Sequence, residues 1–311
     1  MKFDNGDVDL SKVTDARDGR GAGRGRGPGL PQLNMGGAAP KTVGGALVML
    51  VVAVLIGLLS QGGEAPTDSA YAAPDGAQGV AGSLAQRCPA DAEDGVFDEP
   101  DCLLVKSFNE AGEVWSAYYA GSGQQLREPG LTFFDGSIRT ACGSANTDVG
   151  PFYCPGDERI YFDLGFSRQL QQLGVQGQYA MVYIMAHEYG HHLQNVTGVE
   201  RKVRRAQQAD RRHANNYSVA MELQADCLAG AWGRMAHDQG NVVITPEEFA
   251  QASNAAGAVG DDRIMEGAGM KIQPERFTHG SAKQRQYWYR TGFESGSPQA
   301  CNTFEQLGLQ I

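Results

Sequence analysis

Between Thr42 and Ser60 the chain carries no charged residue, and nowhere does it hold a Cys-x-x-Cys pair or an internal repeat. The missing Cys-x-x-Cys argues against a zinc ribbon. The six cysteines, Cys88, Cys102, Cys142, Cys154, Cys227 and Cys301, are an even set that fits disulfides in an oxidising compartment. Basic charge is short where the chain is longest. Residues 1–60 hold seven Lys or Arg and five Asp, so the rest holds nineteen basic against thirty-one acidic side chains, a net of −12. That balance excludes nucleic acid as an expected partner. Aromatic residues fall almost entirely after position 110, whereas Gly, Arg and Pro crowd the first forty positions, which sets the N-terminus apart.

The uncharged run VGGALVMLVVAVLIGLL, Val43 to Leu59, is at the short end of what spans a bilayer. More than forty residues precede it, too many for the short positive region of a signal peptide, so it reads as an uncleaved anchor over residues 43–60. Arg20, Arg24, Arg26 and Lys41 flank it on one side and Glu64, Asp68 and Asp75 on the other. The positive-inside rule then predicts a single-pass membrane protein with a cytoplasmic N-terminus and an extracytoplasmic C-terminal part. Residues 1–42, centred on RGAGRGRGPGLP, have too little apolar content to fold and read as a disordered tail. Residues 61–84 read as a linker rich in Gly, Ala, Ser and Pro, and the globular domain is expected over residues 85–311.

Within that domain the aromatic and β-branched runs 113–121, 131–136 and 159–164 predict strands. Apolar periodicity predicts helices over 177–197, 200–213, 217–239, 246–256 and 281–291, the last three opening near Ser218, Thr245 and Ser281. The expected class is α+β, a small mixed sheet followed by a mainly helical body.

The chemistry lies in GQYAMVYIMAHEYGHHLQNV. His187 and His191, four apart, share one helical face, so both imidazoles can reach one Zn2+ ion. Glu188, about 100° around the helix, is placed to act as general base on a water activated there. Gly190 is small enough to let another element approach. A catalytic zinc keeps three protein ligands, so a third is sought on a second helix. Glu222 in MELQADCLAG is the best candidate, and Asp226, four residues on, either steadies a histidine or rivals it as ligand. Both carboxylates interrupt a small, apolar helix where unpaired charge is costly. His192, His213 and His279 are the other competitors, with His192 on a different helical face. Gly260-Asp261-Asp262-Arg263 reads as a solvated turn or cap rather than a calcium site.

Four segments together, ACGSANTDVGPFYCPGDERIYFDL, HEYGHHLQ, ELQADCLAG and FTHGSAKQR, resemble the neutral zinc metallopeptidases of bacteria over roughly residues 85–305. His-Glu-x-x-His followed by Glu-x-x-x-Asp also resembles the gluzincin arrangement of thermolysin and of the CAAX-prenyl-type membrane proteases. That resemblance implies a zincin-like fold, Glu222 as third ligand and Asp226 as its neighbour's support. Thr278-His279-Gly280 with Arg285 is similar to a Thr-His-Pro segment of those membrane proteases, which implies His279 as oxyanion stabiliser, with Tyr217 the runner-up. Gly280 stands where they have Pro. In zincins an edge strand near the active helix pairs with extended substrate, and RIYFDL precedes that helix here.

The expected function is zinc-dependent hydrolysis of protein or peptide substrates at a bacterial cell membrane, with zinc held by His187, His191 and Glu222. A non-catalytic, metal-stabilised surface binding or chaperone domain, and a zinc hydrolase of non-peptide substrates, are the alternatives. Glu188, unnecessary for metal binding alone, argues against the first of these. Proximity suggests the pairs Cys142–Cys154 and Cys88–Cys102, leaving Cys227 for Cys301, although connectivity is not fixed by sequence.

Overall fold

The computed structural model describes residues 1–4, 7–17, 81–88 and 95–311. In chain order the elements are β1 (Lys2–Phe3), β2 (Val13–Asp15), α1 (Ala81–Arg87), α2 (Pro100–Ala120), β3 (Gly130–Phe134), β4 (Ser137–Thr140), β5 (Gly143–Asn146), β6 (Phe152–Cys154) and β7 (Arg159–Asp163). A helical body follows: α3 (Phe166–Gln172), α4 (Tyr179–Val196), α5 (Val199–Ala209), α6 (Ala214–Gln239), strand β8 (Val242–Val243), α7 (Pro246–Ala258), α8 (Asp261–Gly267), α9 (Ala282–Ser295) and α10 (Thr303–Gln306). The α+β class is as expected.

The main sheet has the order β2-β3-β7-β6, with β2, β3 and β7 parallel and β6 antiparallel on the edge. A hairpin, β4-β5, stands outside it. One continuous core joins the sheet residues Leu131, Phe133, Ile160 and Phe162 to α2, α4, α6 and α9. Helix α4 lies at its centre, against α2, α6 and α7.

Two capping boxes start α7 and α9. The Thr245 and Ser281 hydroxyls accept from the backbone N–H of Glu248 and Gln284, whose side chains accept in return from the cap residues. The 217–239 helix opens earlier than expected, at Ala214, and the Ser218 hydroxyl instead accepts from the Gln207 side chain. The predicted strand 113–121 is the last two turns of α2. Its Trp115 belongs to a helical row with Leu104, Phe108 and Ala111, buried at a spacing that only a helix faces inward. Pro100 at the first turn starts that helix. Here core packing overrides the strand preference of aromatic side chains.

The disordered-tail reading of residues 1–42 is corrected over the described part. β1 pairs antiparallel with β8, and β2 adds a parallel strand to β3. Phe3 is 1% exposed, edge-on to Phe97, with the Lys106 ammonium 5.6 Å from its ring centroid. Asp15 is buried beneath Arg17 and Arg87, both of which also reach Asp101. The segment is poor in apolar residues because its main contribution is backbone pairing, which composition does not reveal. The expected start of the domain at residue 85 is likewise too late. β1 and β2 pair with strands from the C-terminal part, so these N-terminal strands belong to the same folded unit. The predicted anchor at residues 43–60, and residues 18–42 and 61–80, lie outside the described residues. Among the described residues no helix is long and apolar enough to cross a membrane.

The disulfides pair as expected: Cys88–Cys102, Cys142–Cys154 and Cys227–Cys301, leaving no free cysteine.

Phe3→Ala is expected to destabilise the protein by about 3 kcal/mol, the cost of emptying a buried phenylalanine site, measured by urea unfolding. An unstructured N-terminus would leave the midpoint unchanged.

Candidate metal centre

The site is built where α4 crosses α6. A Cβ on Gly190 would lie 3.1 Å from the Ala225 Cα and 3.2 Å from its carbonyl oxygen, so the two backbones meet at this glycine. That contact carries Glu222, one turn before Ala225, over the two histidines of α4. A second close crossing joins α6 to α9: a Cβ on Gly230 would lie 2.1 Å from the Tyr289 carbonyl oxygen, and one on Gly292 1.9 Å from that of Cys227. It draws Arg285 into the interior.

The Glu222 carboxylate is 3.3 Å from His187 Nε2 and 3.5 Å from His191 Nε2, and the three donor groups lie within 4.8 Å of one another. A tetrahedral zinc with bonds of about 2.0–2.1 Å needs donor atoms roughly 3.3–3.4 Å apart. Two imidazoles and one carboxylate at these spacings fit zinc, and they leave a fourth position for water or substrate.

Each imidazole is oriented through its other nitrogen. His187 Nδ1 is 2.8 Å from Asp226 Oδ1, and His191 Nδ1 is 2.8 Å from Gln194 Oε1. Both rings then carry their proton on Nδ1 and present an Nε2 lone pair to the metal. Gln194 in turn donates to the Met221 carbonyl and the Gln224 side chain, tying α4 to α6 below the ligands. Sequence reading missed Gln194, although its position three residues after His191 on a helix places it on the same face.

Asp226 is fully buried and saturated. Besides His187 it accepts from the Tyr183 hydroxyl and, at 2.8 and 2.9 Å, from Arg285 Nε and Nη2. Burial raises its proton affinity, but the Arg285 and His187 charges outweigh that and hold it below the usual aspartate range. With both oxygens committed and Glu222 nearer the open Nε2 atoms, Asp226 is a positioning group and not a ligand in this arrangement.

Glu188 is 7% exposed, and the Tyr153 backbone amide of β6 lies near enough to its carboxylate to oppose the rise in its pKa slightly. Burial is the main cause that raises its pKa, with Glu222 adding to it and the two histidines opposing. In the metal-free chain burial works against charge on His191, yet Glu222 beside it carries the imidazole to about 10.

Burial raises the Glu222 pKa, but His191 and His187, with a smaller effect of His279, hold it well below the usual carboxylate range. His279 Nδ1 is 3.2 Å from Asp261 Oδ1, leaving Nε2 free. Asp261 is not a solvated turn. It is buried, and its Oδ2 accepts from the successive N–H groups of Thr278, His279 and Gly280, fixing the loop that carries the histidine. Gly280 has φ +91, which proline cannot adopt, so the change from Pro accompanies a different loop conformation. Tyr217 packs away from the site, with Val203, Ala220 and Phe304. His192 is buried between the Arg127 carbonyl and the Tyr153 hydroxyl, and His213 pairs with Asp210 at the surface. Strand β7 (RIYFDL) is interior to the sheet. The edge strand beside α4 is β6, a short run that strand propensity did not single out.

Asp226→Asn is expected to lower stability by about 3–5 kcal/mol, since it leaves Arg285 buried without its counter-charge, and to weaken zinc binding about 10- to 100-fold. Urea unfolding of the metal-free chain and chelator competition measure the two effects separately.

The chain is 43% identical to the uncharacterized protein YpfJ of Escherichia coli (strain K12) over 194 residues, 62% of this chain and 67% of that protein. It is 40% identical to the uncharacterized protein Rv2575 of Mycobacterium tuberculosis over 218 residues, 67% of this chain and 72% of that protein. No solved structure matches. The family described as "Putative neutral zinc metallopeptidase" matches residues 4–304, which include the N-terminal strand β2 as well as the metal centre, and the chain belongs to that family.

Proposed function

We propose that the protein is a zinc-dependent endopeptidase that hydrolyses peptide bonds by water attack, with Glu188 as general base. The observation that carries this is Glu188 itself, a buried carboxylate one residue from a set of three groups that can hold zinc. A metal site serving only stability has no need of it.

When bound by His187, His191 and Glu222, zinc supplies Lewis acidity and a water of lowered pKa. The chain's own groups supply the rest. Glu188, with its proton affinity raised by burial, accepts the proton of the attacking water and returns it to the departing amine. Asp226 and Gln194 keep the two imidazoles in the tautomer that binds metal. His279, oriented by Asp261, presents Nε2 toward the negative charge that develops on the scissile carbonyl oxygen. The position of β6 at the sheet edge, unpaired on its outer side among the described residues, supports binding of extended substrate by backbone pairing. No covalent enzyme intermediate is part of this scheme.

Three disulfides favour an oxidising, extracytoplasmic compartment for the folded body, the N-terminal strands included. The apolar run of residues 43–59 supports attachment to a membrane from that side.

Glu188→Gln is expected to retain about one zinc per chain and to lower peptide cleavage about 10²- to 10⁴-fold, the range for loss of a general base. Metal analysis and turnover of a peptide library by the same preparations check this. Zinc binding with no cleavage by the unaltered protein would favour a non-peptide substrate.

A further inference from the structure

In a chain of net charge −10, residues 199–212 hold six Lys or Arg and two acidic residues. This is α5 with the turn that follows it. Its apolar side is spent: Val203 is 1% exposed and packs with Tyr217, Ala220 and Phe304 of the neighbouring helices. Its basic side lines a cleft of about 540 Å³ together with Arg127 and Asn195. Four guanidinium groups face the cleft, those of Arg127, Arg201, Arg204 and Arg205. Two carboxylates answer them, since Glu158 pairs with Arg127 and Glu200 with Arg204. Arg201 and Arg205 are exposed and have no ion-pair partner among the described residues.

The cleft opens next to the metal centre. Asn195 lies four residues after His191 on α4, about 6 Å along the helix axis. Its side chain donates to the Tyr153 hydroxyl at 2.9 Å, and the Tyr153 backbone amide lies close to the Glu188 carboxylate. The Arg127 carbonyl accepts from His192 of the same helix. The cleft with its two unpaired arginines is thus joined through Asn195 and Tyr153 to the edge strand beside the catalytic carboxylate.

We infer that Arg201 and Arg205 form a specificity subsite for an acidic side chain of the substrate, a few residues from the scissile bond. The inference rests on the peptidase reading above. A membrane surface fits less well, because the helix has no free apolar face to insert and its charges line a concavity.

The test uses the full chain with zinc and paired fluorogenic peptides that differ by Glu or Gln at single positions around the cleavage point. At one of these positions Glu is expected to raise kcat/KM at least about threefold over Gln, the scale of a partly exposed ion pair. Arg201→Gln with Arg205→Gln removes that preference and leaves turnover of the Gln peptide unchanged. An undiminished preference in the double variant, or no position that favours Glu, overturns the inference. Binding of the same labelled peptides to Glu188→Gln, read by fluorescence anisotropy, separates the two readings. If the unaltered protein cleaves nothing but arginine-dependent binding of the Glu peptide persists, the peptidase reading fails and the acidic-peptide surface stands. Arginine-dependent binding to phosphatidylglycerol vesicles, with none to the peptides, assigns the surface to lipid and overturns it.

Discussion

Helices α4 and α6 can share one metal only because nothing but hydrogen occupies the α-carbon of Gly190 on the side facing Ala225. Helix axes usually stay 8–10 Å apart, held off by side chains at the contact. Here the backbone of one helix touches the other, and the carboxylate of Glu222 arrives within tetrahedral reach of both histidines. The ligand set follows from that crossing, and so does the position of Asp226 one further turn along α6. The α6–α9 crossing at Gly230 and Gly292 extends the same device and delivers Arg285 to Asp226.

The interior of this site is unusually charged for a protein core. Asp226, Arg285, His187 and Glu188 are all buried. Removing each ion from water costs several kcal/mol, so the cluster is a poor source of stability. Its worth lies in orientation. Two-point contact between Arg285 and Asp226 fixes the carboxylate, the carboxylate fixes the His187 ring, and one nitrogen is left for metal. Asp261 does the same for the His279 loop, through three backbone amides and the imidazole. The surrounding fold, with its disulfide joining Cys227 beside Asp226 to Cys301, supplies the rigidity that such a cluster requires.

Much of the site was legible because helical spacing is a strict ruler. Residues four apart share a face, so His187 with His191 and Glu222 with Asp226 could be paired before any packing was known. Glu222 was the preferred ligand of that pair, but spacing alone left Asp226 as a rival, since the choice depends on where Gly190 meets α6. Gln194 was within reach of the same ruler, but nothing in its side-chain type marks it as a histidine support. Local composition misled twice. The aromatics of residues 113–121 serve a helix, and residues 1–17, poor in apolar side chains, add two strands through their backbone. The Arg201 and Arg205 cleft depends on how α5 sits beside the end of α4, and no motif encodes that.

Zinc K-edge X-ray absorption on the metal-loaded protein tests the central assignment most directly. The account predicts a shell of nitrogen and oxygen scatterers only, at about 2.0–2.2 Å, with the imidazole signature of two histidines, and loss of one light scatterer or of the metal in Glu222→Ala. A sulfur scatterer near 2.3 Å, or a shell unchanged by that substitution, would contradict it.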